Sequence, residues 1–310
     1  MAKGSCRKGF SQELLAQAGK NKNICTIATD SRGSVTTGEF FRQLPGQSFE
    51  LGIAEQNAVA VAAGMAAMGK NVFVAGPACF LAARAYEQVK VDVAYNHTNV
   101  KVVGVSAGVS YGPLGCTHTS LHDLAGMRAL PGLAVLVPAD EAQTRALTRW
   151  LAGMEGPAYM RMGRGDVENV YTGGERFTPG QAVCLHEGDD VTLAACGECV
   201  WRALEAAKLL EGRGVRARVL DLFSLRPFDS EAVLRAARQT GAIVTVEEHS
   251  VCGGLGEQVA RLTAEHLPVP VRVMGFPDEN CRVGASDDLF RAYGLTPEGI
   301  AAAAAALAGR

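Results

Sequence analysis

Leu51–Met68 reads LGIAEQNAVAVAAGMAAM, and how this stretch is read decides the fold. One acid, Glu55, stands in an otherwise uncharged run. Small residues follow it at Ala58, Ala60, Ala62, Ala63, Gly64, Ala66 and Ala67. That composition suits a tightly packed, largely buried helix opening near Glu55. The acid itself has two readings. A carboxylate in the first turn is favoured by the helix dipole. A carboxyl in apolar surroundings instead resists ionisation, holds a proton and can share it with a ring nitrogen.

Outward from this helix, apolar strand-like runs lie on either side. Asn23–Thr29 precedes it and Asn71–Ala75 follows it. Asp30 and Ser31 stand at the C-terminal end of the first run, where open α/β sheets place ligands. Ser11–Gly19 reads as a helix, 32–49 as a polar loop, and the stretch from about Phe80 to Val93 as one helix carrying Arg84. Val100–Ser106 is a strand that leads into a glycine-rich stretch ending in Cys116-Thr117-His118. A helix at Leu121–Ala129, a strand at Leu133–Val137, a helix at Glu141–Ala152 opened by Asp140, and a strand at Ala158–Met162 continue the alternation. Arg164 lies just past that last strand. The alternation predicts a mostly parallel sheet covered on both faces.

Glycines and prolines at Gly173-Gly174, Pro179-Gly180 and Gly188 break the rhythm, so 168–188 is expected to be a linker between domains 1–167 and 189–310. In the second domain, strands at Val191–Ala195, Arg216–Leu220, Ala242–Glu247 and Val271–Met274 alternate with helices at Val200–Leu210, Ser230–Thr240, Gly256–His266 and Pro297–Leu307. The fold class expected is therefore α/β, with two doubly wound domains, the second the smaller.

The chain has 310 residues, 48% hydrophobic and 20% charged, with a net charge of −2. A large core is expected, and disorder and nucleic-acid binding are disfavoured. The N-terminal residues have no apolar core of signal-peptide length, and no apolar run reaches the roughly 18 residues that span a bilayer. A soluble cytoplasmic protein is expected. Nine cysteines are scattered, an odd count that argues against a closed disulfide framework. Cys196 and Cys199 form a lone CxxC, expected to be buried reduced thiols.

These landmarks, in this order, resemble the C-terminal half of the transketolase family, which includes deoxyxylulose-phosphate synthase. The carrying residues are GIAEQNAV (Gly52–Val59), FLAARAYEQV (Phe80–Val89), GCTH (Gly115–His118), ALPGLAVLVPAD (Ala129–Asp140), MRMGRG (Met160–Gly165) and EEHSVCGGLG (Glu247–Gly256). The resemblance implies a thiamine diphosphate pyrimidine-binding domain followed by a transketolase C-terminal domain. The family's diphosphate-binding domain carries a GDG motif that holds Mg²⁺, and no GDG occurs here. The chain thus looks like one subunit of a split transketolase. Its expected partner is an N-terminal subunit that supplies the diphosphate and Mg²⁺ site, in a two-plus-two heterotetramer.

The same resemblance assigns Glu55 to hydrogen-bond the aminopyrimidine of thiamine diphosphate. Phe80 is the candidate to stack on that ring, or else a core aromatic, and its spacing to Arg84 differs from that in the synthase. Asp30 is a cofactor-side candidate, or a turn residue capping its own loop. His118 matches a substrate-side His suited to proton transfer. Arg164 matches a strand-end Arg that binds sugar phosphate, with an interface salt bridge as its alternative. Arg84 reaches either a substrate oxygen or an ion-pair partner on its helix. His249 is expected to hold the C-terminal domain together. Departures at Ser106, Pro113 and Leu114, where relatives carry His, Glu and Asp, imply a displaced substrate preference. The expected activity is ketol transfer from a ketose to an aldehyde. The rival readings are a beta subunit of a 2-oxo acid dehydrogenase and a catalytically silent scaffold.

Overall fold

The computed structural model describes residues 2–309. The chain opens with β1 (Lys3–Gly4) and α1 (Cys6–Ala18), whose N-cap Ser5 accepts from the Lys8 N–H. The apolar run that follows is β2 (Ile24–Ala28), buried throughout. The expected loop 32–49 instead holds α2 (Arg32–Val35), α3 (Gly38–Gln43) and β3 (Ser48–Glu50), pinned by buried Val35 and Phe40. α4 (Glu55–Ala67) begins at the expected acid. It is not largely buried: Glu55, Ala58, Val59, Ala62 and Ala63 face the core, while Gln56, Asn57, Ala60, Gly64 and Ala67 are exposed. Small side chains pack as well against a neighbouring chain as against a core, so composition alone does not separate the two.

After β4 (Asn71–Pro77), the single helix expected to Val93 is broken. It runs as α5 (Ala78–Arg84), then α6 (Tyr86–Gln88), then a π-helical segment at Val89–Tyr95. Its wide turns are visible in the bonds from Asn96 N–H to Val91 O and from Thr98 N–H to Val93 O. A π-turn absorbs one additional residue in a helix. The wide turns lie after Arg84, so Phe80 and Arg84 themselves share the single helix α5. β5 (Val100–Val105), α7 (Asp123–Ala129), β6 (Ala134–Leu136), α8 (Glu141–Gly153), β7 (Ala158–Met162) and β8 (Val167–Glu168) complete this half.

Within the expected linker, Val183–His186 forms β9. Then come β10 (Val191–Ala195), α9 (Cys199–Glu211), β11 (Ala217–Asp221), β12 (Ser224–Arg226), α10 (Ser230–Thr240), β13 (Ile243–Ser250), α11 (Leu255–His266), β14 (Val271–Phe276), α12 (Ser286–Ala292) and α13 (Pro297–Leu307). The sheets are ordered β12-β6-β7-β5-β4-β2-β3 and β14-β13-β10-β11-β9, with β1-β8 as a separate pair. The two larger sheets are parallel except at β12 and β9, each antiparallel to its neighbour. β12 lies in the second half of the sequence yet extends the first sheet.

A buried polar cluster also joins the halves. Arg161 of β7 donates to Asp123 (3.1 Å) and to the Glu248 carbonyl (3.0 Å), and Val109 N–H donates to the Glu248 carboxylate (2.9 Å). His249 accepts from the Ala125 N–H at Nε2, which leaves Nδ1–H to donate to Ser250 O. His249 therefore ties the two halves to each other, beyond the expected role within its own domain. Cys196 and Cys199 are buried and unpaired. Among the described residues, no helix is long and apolar enough to cross a membrane.

Candidate functional site

The C-terminal ends of β2 and β4 and the loop after β5 surround a cleft of about 260 Å³. Thr29, Asp30, Ser31, Glu55, Pro77, Phe80, Tyr111, Leu114 and His118 contribute to its walls. Four sequence candidates, Asp30, Glu55, Phe80 and His118, thus meet in one place.

Glu55 is delivered by the N-terminus of α4, after a turn in which Gly52 has φ 71°. Its side chain is 4% exposed. Its surroundings are not the apolar ones expected. Arg84 Nη1 donates to both carboxylate oxygens, at 3.3 and 3.4 Å. The same guanidinium lies over the Phe80 ring, 4.1 Å from its centroid. Arg84 therefore faces Glu55 as an ion-pair partner. Asp30 adopts a left-handed conformation (φ 54°), and its N–H donates to Glu50 (2.7 Å). Among the described residues, Thr29 Oγ1 and Ser31 Oγ in the cleft wall are buried without a hydrogen-bond partner.

His118 stands edge-on to Phe80, with ring centroids 5.3 Å apart, and edge-on to Tyr111 at 5.8 Å. Its Nδ1 lies 2.8 Å from Thr117 Oγ1. Leu114 is 55% exposed at the cleft mouth, where Ile53 is 75% exposed. Ser106 is fully buried behind the cleft wall, with its hydroxyl unpartnered among the described residues, and does not itself line the cleft.

Arg164 lines a second cleft, of about 460 Å³, together with Arg7, Ser110, Glu198 and Arg202. Its Nη1 donates to Tyr111 Oη (2.8 Å), and its guanidinium stacks on the Tyr111 ring (4.9 Å). Arg7 donates to Ser34 O (2.8 Å), while its Nε is buried without a partner among the described residues. Burial, and after it the nearby Arg164 charge, push the Arg7 pKa below its ordinary value. The lining of this cleft is of mixed charge: Arg7, Arg164, Arg202 and Lys3 share it with Asp166, Glu168, Glu198 and Asp287. Sequence reasoning passed over Arg7, Ser34 and Tyr111. The only available signals were a cation beside the Ser5 helix cap and an aromatic inside a glycine-rich loop.

Two family models match the chain: the transketolase pyrimidine-binding domain over residues 2–169 and the transketolase C-terminal domain over residues 180–300. One of the subunits of the apulose-4-phosphate transketolase of Phocaeicola vulgatus is 50% identical over 297 residues, covering 96% of this chain and 95% of that one. A 6-deoxy-6-sulfo-D-fructose transketolase subunit of a Clostridium species is 41% identical over 291 residues, covering 94% and 90%. A solved split-gene transketolase, described as an inactive beta4 tetramer, superposes with TM-score 0.90 at 40% identity and covers 99% of both chains. The likeness runs through both halves and takes in the strand ends that carry the cleft, and so the chain belongs to the transketolase family, as the C-terminal subunit of a split transketolase.

Proposed function

We propose that this chain holds the pyrimidine end of thiamine diphosphate and, joined to a partner subunit, moves a two-carbon ketol unit from a short ketose with an anionic end to an aldehyde. The observation that carries this reading is the convergence of a buried carboxylate, an aromatic face and a histidine on one cleft, with Arg164 and Arg7 both lining the next.

The residues present fit the pyrimidine. A flat, hydrogen-bonding cation already rests between Phe80 and Glu55, in the form of the Arg84 guanidinium. Unpartnered hydroxyls at Thr29 and Ser31 leave room for further hydrogen bonds. Glu55 would hold a proton at its carboxyl oxygen against a ring nitrogen, Phe80 would cover one ring face, and Asp30 would sit at the ring's edge. When bound, thiamine diphosphate supplies the electron sink that lets a carbon–carbon bond beside a carbonyl break and re-form. His118 is placed to bind a substrate hydroxyl and move its proton. Arg164 and Arg7 would take the anionic end. Leu114 offers no acceptor to a hydroxyl at the mouth, so a ketose with fewer hydroxyls there is favoured.

The diphosphate and Mg²⁺ are assigned to the partner, whose family domain carries the GDG motif missing from this sequence. The exposed small-residue face of α4, flanked by exposed Met68 and Tyr95, suits such a partner. A two-plus-two assembly follows if each cleft is completed across a subunit boundary. The unpaired cysteines fit a reducing cytoplasm. The two named relatives, one for a phosphate-bearing and one for a sulfo-bearing ketose, support an anionic donor. They also favour ketol transfer over 2-oxo acid oxidation. Glu55, His118 and Arg164 together argue against a silent scaffold.

The test is reconstitution with the N-terminal subunit. Neither chain alone should turn over apulose 4-phosphate with an aldehyde acceptor, while the mixture should, and calorimetry should give weak cofactor binding to this chain alone. Turnover by the isolated chain, or decarboxylation of 2-oxo acids as the faster reaction of the pair, overturns the proposal.

A further inference from the structure

Tyr111 stands at the boundary between the two clefts. Its ring walls the cleft of Glu55 and Phe80, and its hydroxyl contacts the arginine of the neighbouring cleft. Phe80, His118, Tyr111 and Arg164 form a continuous series of ring contacts from the first cleft to the arginine of the second, at 5.3, 5.8 and 4.9 Å. The phenol oxygen accepts from Arg164 Nη1 (2.8 Å) and lies 3.2 Å from Ser34 Oγ. Arg7 holds the carbonyl of that same Ser34. Tyr111 therefore contacts Arg164 directly and Arg7 through Ser34, while its ring borders the cleft of Glu55 and Phe80.

The chemistry of the phenol follows from this placement. A guanidinium can only donate, so in its bond to Arg164 the Tyr111 oxygen is the acceptor, and its own proton is donated to Ser34 Oγ at 3.2 Å. A hydrogen bond accepted from a cation polarises the O–H and strengthens the bond it donates in turn. Ser34 Oγ is one acceptor within reach. A phosphate or sulfonate oxygen drawn toward Arg164 and Arg7 would be a stronger one, because it is charged. The ring meanwhile limits how far a substrate extends between His118 and Arg164.

We propose that Tyr111 is a specificity-determining residue, whose hydroxyl donates to the anionic end of the ketose beside Arg164. The proposal rests on the functional reading above and adds a residue to it. A neutral ketose gains nothing from the phenol proton, so the contribution is confined to substrates that end in an anion.

The experiment compares wild type and Tyr111→Phe in the reconstituted pair, with a phosphorylated ketose (apulose 4-phosphate) and a neutral one (L-erythrulose). The phenylalanine keeps the ring contacts with His118 and Arg164 and removes only the hydroxyl. For the phosphorylated ketose, kcat/KM should fall about tenfold or more, mainly through KM, as expected for a lost hydrogen bond to a charged group. For L-erythrulose it should change less than twofold. Equal losses on both ketoses, or no loss on either, overturn the proposal. Calorimetric binding of the same two ketoses to the pair, with melting temperature as the check on folding, gives a readout independent of turnover. Weaker binding of the phosphorylated ketose alone supports the assignment even if the pair transfers no ketol unit. Unchanged binding of both rejects it even if the pair is active.

Discussion

Glu55 keeps its carboxylate buried at a helix start, and Arg84 is the group that now neutralises it. Two consequences can be measured. Glu55→Gln retains hydrogen-bonding capacity but cannot hold and return a proton, so activity of the assembled enzyme should drop by on the order of 10²–10³ with the melting temperature little changed. A variant within threefold of wild type contradicts the assignment. Arg84→Met removes the competitor for both the carboxylate and the Phe80 ring. Calorimetric titration of the assembled pair should therefore show cofactor binding that is equal or severalfold tighter, and a marked weakening would mean that Arg84 belongs to the bound state. Individual residues were legible in the sequence where the backbone places them. Asp30, Glu55 and Phe80 each sit at a strand end or helix start, so the order of elements locates them. Tyr111 and Arg7 were not legible, because what they do depends on partners 53 and 27 positions away in the chain.

At the scale of elements, the long apolar runs and the alternating helices were readable because burial on both faces of a parallel strand leaves an unbroken hydrophobic signature. What escaped was short or borrowed. β12 has three residues and pairs with β6 of the other half, and α12 has seven. Neither length supports a period. The break between α5 and α6 falls at Ala85, and the three residues of α6 are too few to show a period of their own. The contact between β13 and the loop after β5 was equally hidden, and it makes a firm prediction. Gly108 has φ 60°, and a side chain there would run into the Glu248 carboxyl group. Gly108→Ala combines backbone strain with that clash, and should cost about 1–3 kcal/mol or more in denaturant unfolding. Activity should fall with it, since the same loop carries Tyr111 and His118. A stability change under about 0.5 kcal/mol, the size of an ordinary surface effect, would show that the contact is not needed.

For the whole molecule, β13, the strand that carries the contact between the halves, holds groups whose protonation differs from that of a free chain. Burial raises Glu247 from its ordinary 4.5 to about 7, even though its carboxylate accepts the Leu255 and Gly256 N–H groups at the start of α11. Burial raises Glu248 as well, with the Glu198 charge adding to the effect. Burial lowers His249 from 6.5 to about 4. The acids keep protons in the fold that the unfolded chain has released, so their contribution is present in full below about pH 4.5 and is lost as pH rises through about 7. His249 works the other way: it stays neutral in the fold, and its contribution is lost as pH falls from 6.5 toward about 4. Above pH 6.5 the histidine no longer offsets the acids, and stability should decline toward pH 8. Glu247→Gln substitutes a permanently neutral side chain that still offers a carbonyl oxygen to the α11 amides. The variant's melting temperature should fall less than that of wild type between pH 6.5 and 8, by on the order of a few degrees. Since both proteins share His249, the difference between the two curves isolates Glu247. Parallel curves would mean that Glu247 is ionised in the fold throughout.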